Sequence, residues 1–373
     1  MQYIFILGHN PRLSVAEIFA VLPRAKKIEE TGSFLIIEND EISCSEILGR
    51  LGGTIKIGKV VDKQISRKIT VEKLKELKKE NKLKFGISYY DCMPDNLGME
   101  TKKELKEFGI SCRLITGKNK ALSSVIVSKN KCFEFLVLGN RWLAETCCVQ
   151  EFEEYSHRDY GRPVRDMLSG SMPPKLAKIM INLAELPSGA TILDPFCGSG
   201  TVLQEGILLG YKMIGSDVSD KAIRDSEKNL EWFINSYKLK ACLPVGRAHS
   251  YKLIKSDVKE ISKKISGVDA IVTEPYLGPP LKGNEKLKEV EKIIGQLSEL
   301  YDAAFCEFRK ILSPAGKIVI VLPAFRVGKN ILELPILSRI MKIGFSQVNK
   351  DKLVYSRPGQ KVWRQIFVFT FQP

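Results

Sequence analysis

The chain has 373 residues, 44% hydrophobic and 27% charged, which excludes a disordered or fibrous protein and leaves room for two or three domains. No apolar run reaches transmembrane length, and MQYIFILGHNPRLS lacks the basic start and small-residue cleavage site of a secretory signal, so a cytoplasmic protein without membrane contact is expected. The formal net charge of +15 is unevenly spread: residues 1–50 carry a net of −2, residues 51–131 a net of +10, and residues 132–373 a net of +7. Such segregation suits a polyanionic partner, and part of it is the lysine-rich helix pattern VEKLKELKKENKLK at 71–84.

In chain order, residues 1–62 read as a small α+β unit. YIFIL, FLIIE and TIKIGKVV are strands, and SVAEIFAVL is a helix opened by a capping box from Ser14 to Glu17. With SCSEILGRL as a second helix, a ferredoxin-like domain is expected. Residues 63–150 continue with the strands KFGISYY, SCRLI and FEFLVLG and a helix that ends at Gly109. Residues 151–171 are polar and read as a linker.

From Met172 to residue 373 strands and helices alternate, which predicts a mostly parallel seven-stranded sheet with helices on both faces. A terminal antiparallel hairpin is expected to turn at Arg357-Pro358-Gly359-Gln360. The nine cysteines include no CxxC pair, and with only His9, His157 and His249 available, neither a metal site nor a Ser-His-Asp triad is expected.

Ligands of such a sheet bind off the carboxyl ends of its strands. ILDPFCGSGT at 192–201 places Gly198 and Gly200 where backbone must approach a ligand, ahead of a helix led by Thr201. A dinucleotide site would want glycine at 203, where Leu203 stands, and Asp194 would repel a pyrophosphate. An acid at that strand end suits a cationic or zwitterionic ligand, and S-adenosylmethionine carries both a sulfonium and an ammonium. Asp217, ending IGSD on the next strand, can accept both ribose hydroxyls, with Val218 packing on adenine. Asp257 in KSDVKE can accept from the adenine amino group. DAIVTEP then delivers Glu274 beside the methyl donor. An exocyclic amine has its lone pair delocalised into the ring and needs an acceptor for its N–H; Glu274 with the Pro275 carbonyl can supply one, and Tyr276 can stack on a flipped base.

At DPFCGSGT, IGSD and VTEPY the chain resembles the class I S-adenosylmethionine-dependent amino-methyltransferases. RDYGRPVRDMLSGSMPPKLAKIMINLA resembles the segment before that domain in tRNA guanine-N2 methyltransferases acting on guanosine ten, and KFGISYYD with KKELKEFGISCRLI and ALSSVIVSKNK is similar to a THUMP domain. The resemblance implies three parts besides the linker: an N-terminal ferredoxin-like domain (1–62), a THUMP-like RNA-binding domain (63–150) and a Rossmann-like methyltransferase domain (172–373). It also implies that Met172, Lys175, Asp194, Cys197, Gly198, Ser199, Gly200 and Thr201 surround the cofactor, that Asp217 holds the ribose, and that the THUMP-like part binds the tRNA acceptor end. Where the family shows Asp-Pro-Pro-Tyr, this chain has Thr273-Glu274-Pro275-Tyr276. Matching the preceding Val-Thr and the following glycine puts Glu274 in the acid's place; matching Pro-Tyr puts Thr273 there. The first is favoured because a carboxylate can do the acceptor's task. Methylation of a guanine N2 in tRNA is thus the expected activity, with a small activating subunit as an open second partner. A DNA amino-methyltransferase and a nucleic-acid-binding protein with an inactive methyltransferase domain are the alternatives.

Overall fold

The computed structural model describes residues 1–77, 82–165, 172–237 and 251–372. Residues 78–81 of the lysine-rich stretch, the last part of the expected linker and His249 lie outside them. The chain forms two compact units, one of Met1–Val15 with Leu22–Glu154 and the other of Ala16–Val21 with Tyr155–Pro373.

The first unit runs β1 (Gln2–Leu7), α1 (Pro11–Val21, which also enters the second unit), β2 (Lys26–Glu30), β3 (Phe34–Glu38), α2 (Cys44–Arg50), β4 (Thr54–Asp62), α3 (Arg67–Glu76), β5 (Leu83–Tyr90), α4 (Leu97–Glu107), β6 (Cys112–Ile115), α5 (Ser124–Asn130), β7 (Phe133–Leu138) and β8 (Trp142–Val149). Its strands form one eight-stranded sheet in the order β2-β3-β1-β4-β8-β7-β5-β6. Since β4 pairs antiparallel with β8, the boundary expected after residue 62 falls inside a continuous sheet. The helix expected to open at Ser14 begins instead at Pro11, where a ring with fixed φ fits the first turn. Ser14 is therefore interior, and its hydroxyl donates to the Asn10 and Gly53 carbonyls rather than capping. The β-branched run Val125-Ile126-Val127 is helical, because Ser123 accepts from the Ile126 N–H and starts a turn there.

The segment expected as a linker contains α6 (Phe152–Tyr160). There follow α7 (Pro174–Leu183), β9 (Thr191–Asp194), α8 (Thr201–Leu208), β10 (Lys212–Asp217), α9 (Asp220–Ser236), β11 (Tyr251–Lys255), a 3-10 turn (Val258–Lys263), β12 (Val268–Thr273), α10 (Leu287–Ile311), β13 (Leu312–Val327), β14 (Asn330–Glu333), α11 (Leu337–Lys342), β15 (Phe345–Gln347), β16 (Leu353–Tyr355) and β17 (Val362–Phe371). The sheet order is β11-β10-β9-β12-β13-β17-β15, with β14 on β13 and β16 on β17. Strands β11 to β13 are parallel, whereas β17 is antiparallel to both β13 and β15. This is the class I methyltransferase fold, and the turn at 357–360 closes as expected, with the Gln360 N–H on the Arg357 carbonyl.

Packing explains why the antiparallel strand sits where it does. Buried residues of α10 recur as Leu297, Tyr301, Ala304, Phe305, Phe308 and Ile311, one face of a helix. Phe305 meets Phe345 and Phe369 edge-on, at 5.4 and 5.5 Å between ring centres. Each such contact adds about 0.5–1.5 kcal/mol beyond area burial and pins β15 and β17 to the helix. Among the described residues no helix is long and apolar enough to cross a membrane.

Candidate active site

Strand β9 ends on Asp194 and α8 starts at Thr201, so the glycine-rich loop must reverse within six residues. Gly198 (φ +51°) and Gly200 (φ +85°) make that bend in the left-handed region, where a side chain is strained. A Cβ on Gly200 would also lie 3.1 Å from the Ser226 hydroxyl. The loop is braced on all sides. Ser226 donates to the Gly198 carbonyl at 2.8 Å, the Cys197 N–H donates to Ser216 at 2.9 Å, and the Asn229 amide donates to the Ser199 carbonyl at 2.9 Å. Arg162, 4% exposed, donates from Nη1 to the Thr201 hydroxyl at 2.7 Å. Arg158 on α6 donates to the buried Glu205 carboxylate of α8 at 2.6 Å. The supposed linker thus holds both the first residue of α8, where the loop ends, and the helix itself.

Three acidic side chains follow adjacent strands of the sheet. Asp194 is 2% exposed; it accepts from the Thr273 hydroxyl at 2.7 Å and the Phe196 N–H at 3.2 Å. Burial pushes its carboxyl up to about 7; those two hydrogen bonds oppose the shift, and the charges of Asp217 and Glu274 add to it. Asp217 accepts from the Gly198 N–H at 3.2 Å and the Ser219 N–H at 2.9 Å, which ties the second strand end to the glycine loop. A carboxylate has about four lone-pair sites, so two remain for hydroxyl donors. Val218 beside it is 65% exposed and free to pack on a flat ligand.

Glu274 is the third. Its two oxygens accept from Arg364 Nε at 2.7 Å and Nη2 at 2.9 Å, a bidentate clamp between side chains that are 14% and 12% exposed. Arg364 belongs to the start of β17, opposite Pro323 of β13, while Thr273 of β12 lies opposite Ile320 of β13. An antiparallel strand begins where its parallel neighbours end, so Arg364 reaches the same edge as Glu274. Pro275 is buried, and Tyr276 is 55% exposed with its carbonyl held by the buried Tyr301 hydroxyl at 3.2 Å.

Met172 is buried at the entry to α7, and Lys175 lies with its ammonium 5.0 Å from the centre of the Tyr155 ring. Burial and Arg158 lower Lys175. Burial pushes the Cys197 thiol up, which leaves it a protonated packing group whose sulfur accepts from the Ser226 hydroxyl at 3.7 Å. Asp257 caps the 3-10 turn, with one oxygen on the Lys259 N–H at 2.9 Å. Arg364, Arg162, Ser226 and Asn229 were not legible as site residues. Arg364 is separated from Glu274 by 90 positions, and no local pattern marks it. Arg162 had a signal in Gly161-Arg162-Pro163, a rigid polar turn just ahead of the domain.

Two left-handed glycines beside buried and half-buried carboxylates make a cradle for backbone contact with a cationic ligand. The residues fit S-adenosylmethionine on that ground. The RMKL-like methyltransferase domain family matches residues 162–353, more than half of the chain. The chain belongs to this family. A DNA methylase family also matches, over residues 55–228. The tRNA (guanine(10)-N2)-dimethyltransferase of Methanocaldococcus jannaschii is 36% identical over 165 residues, 44% of each chain. The enzyme of that name from Pyrococcus abyssi is 25% identical over 284 residues, 74% of this chain and 78% of its own. The chain spans under half the length of the first curated relatives that it matches, 44% for the Methanocaldococcus protein and 28% for that of Methanothermobacter thermautotrophicus. The chain is thus similar to proteins named as tRNA (guanine(10)-N2)-dimethyltransferases, the group that its motifs resembled. Its fold is that of TrmN from Thermus thermophilus, with a TM-score of 0.55 over the whole of both chains at 16% identity.

Proposed function

We propose that this chain transfers a methyl group from S-adenosylmethionine to the N2 amine of a guanine in tRNA, at guanosine 10 as in the names of its relatives. The observation that carries the reading is the line of acids Asp194, Asp217 and Glu274 along one sheet edge, with a left-handed glycine bend between the first two. Bound there, the cofactor would supply an electrophilic methyl on a sulfonium whose leaving group is a neutral thioether. Asp194 and Asp217 hold its ammonium and ribose, with Met172, Lys175, Cys197 to Thr201, Val218 and Asp257 around them. Glu274 and the Pro275 carbonyl accept the amine N–H, so that the nitrogen lone pair faces the methyl as the nitrogen pyramidalises. Tyr276 offers its exposed ring to the extruded base. The THUMP-like residues 63–150, with the surplus positive charge of 51–131, place the tRNA.

Incubation with labelled cofactor and unmodified tRNA, followed by nucleoside mass analysis, tests this. N2-methylguanosine or its dimethyl form is expected; absence of label in tRNA, with or without a small activating subunit, removes the reading. The DNA methylase match over residues 55–228 gives the second reading its support. Label entering duplex DNA in preference to tRNA would establish that one.

A further inference from the structure

The geometry points to Arg364 as the positioning residue that makes a glutamate usable where the methyl-accepting amine is held. The inference rests on the proposed transfer to guanine N2. A glutamate carries one more rotatable bond than an aspartate, so its carboxylate can sweep through several ångströms, and a displacement of about 1 Å at a reacting centre can cost roughly 100-fold in rate. Arg364 removes that freedom. Its planar fork meets both Glu274 oxygens at 2.7 and 2.9 Å and fixes the carboxylate's plane as well as its place. Two of the four lone-pair sites are thereby filled and two remain for amine N–H groups. The clamp is itself anchored: Arg364 lies between Pro323 of β13 and Tyr355 of β16 in the sheet register, on a strand held to α10 by Phe369. Its guanidinium is raised above its ordinary value, since the hydrogen bonds and charge of Glu274 outweigh burial. The other ionisable groups facing this corner are Asp194 at the end of β9, Tyr301 on α10 and Tyr355 on β16.

The test is steady-state methylation of tRNA by the wild type and by Arg364→Lys, Arg364→Gln, Glu274→Gln and the Arg364→Gln/Glu274→Gln double variant, at saturating cofactor across pH 5–9. Saturation keeps Asp194 in one state throughout. Arg364→Gln is expected to lower kcat about 100-fold and Arg364→Lys about tenfold, with KM for tRNA and cofactor affinity unchanged. The double variant is expected to be no worse than Glu274→Gln. Wild-type kcat in Arg364→Gln overturns the inference. So does a loss that tracks cofactor affinity and melting temperature; if Arg364→Gln does not fold, Arg364→Lys with wild-type kcat does the same. A wild type that transfers nothing to tRNA overturns the proposed function as well, which separates the two failures.

Discussion

Lys56–Glu134 in the N-terminal unit and Arg364–Glu274 in the C-terminal unit are both cation–glutamate pairs within hydrogen-bond distance, yet they differ in what surrounds them. The first is sealed: its side chains are 1% and 0% exposed, and Glu134 also accepts from the Ser88 and Thr146 hydroxyls while Lys56 donates to the Leu122 carbonyl. The second lies at a sheet edge with 12% and 14% exposure, and among the described residues its side-chain hydrogen bonds are those between its own members. A pair buried and bonded by its own protein is closed to a ligand, so it specifies a fold. Spare lone pairs held in a fixed plane at a rim have that capacity.

The largest effect should come from breaking the sealed pair. Lys56→Met leaves a buried carboxylate uncompensated, and unfolding free energy by denaturant titration should fall by about 3–5 kcal/mol with methylation per folded molecule unchanged. A loss below about 1 kcal/mol would show that Glu134 reaches water and would end the contrast.

Asp194→Ala removes a buried acid from the cofactor side of the same rim. Cofactor affinity by calorimetry should drop at least about 100-fold, the equivalent of roughly 3 kcal/mol. Unchanged affinity would refute the assigned pocket. Glu274→Gln keeps shape but not charge; turnover should fall about 10- to 100-fold while cofactor affinity holds. Turnover at the wild-type level would return Glu274 to a purely structural part, like Glu134.

The smallest effect is a proton count. Burial holds Asp194 up to about 7, above its unfolded value of about 3.9. A folded carboxyl that keeps its proton while the unfolded one has lost it makes the apo protein less stable as pH rises from about 4 to about 7, and the dependence ends above that. A cationic ligand favours the ionised form. Cofactor binding at pH 6 should therefore release most of one proton, and at pH 9 almost none from this group, measured by calorimetry in buffers of different ionisation heat. Asp194→Asn should abolish the difference between the two pH values.

The elements around the glycine bend were legible because their signals are local. A buried TILD strand, glycines at 198 and 200 and a helix starting at Thr201 fall within about ten positions, and the acid ending IGSD follows one βα unit later. Residues 151–171 misled because polarity resembles a linker, although Arg158 and Arg162 are polar for a different reason: they donate to Glu205 and Thr201 inside the fold. Ser14 misled because a capping pattern is only a preference, and Pro11 opened the helix one turn earlier.

Sequence alone determined the class of sheet, the glycine bend and the identity of the strand-end acids, since alternation of elements and turn chemistry act between near neighbours. Tertiary structure decided what those acids touch. Thr273 meets Asp194 and Arg364 meets Glu274 because a parallel strand and an antiparallel one end at a common edge, and β17 is brought there by aromatic packing on α10. That packing depends on contacts between residues distant along the chain, which no local pattern encodes.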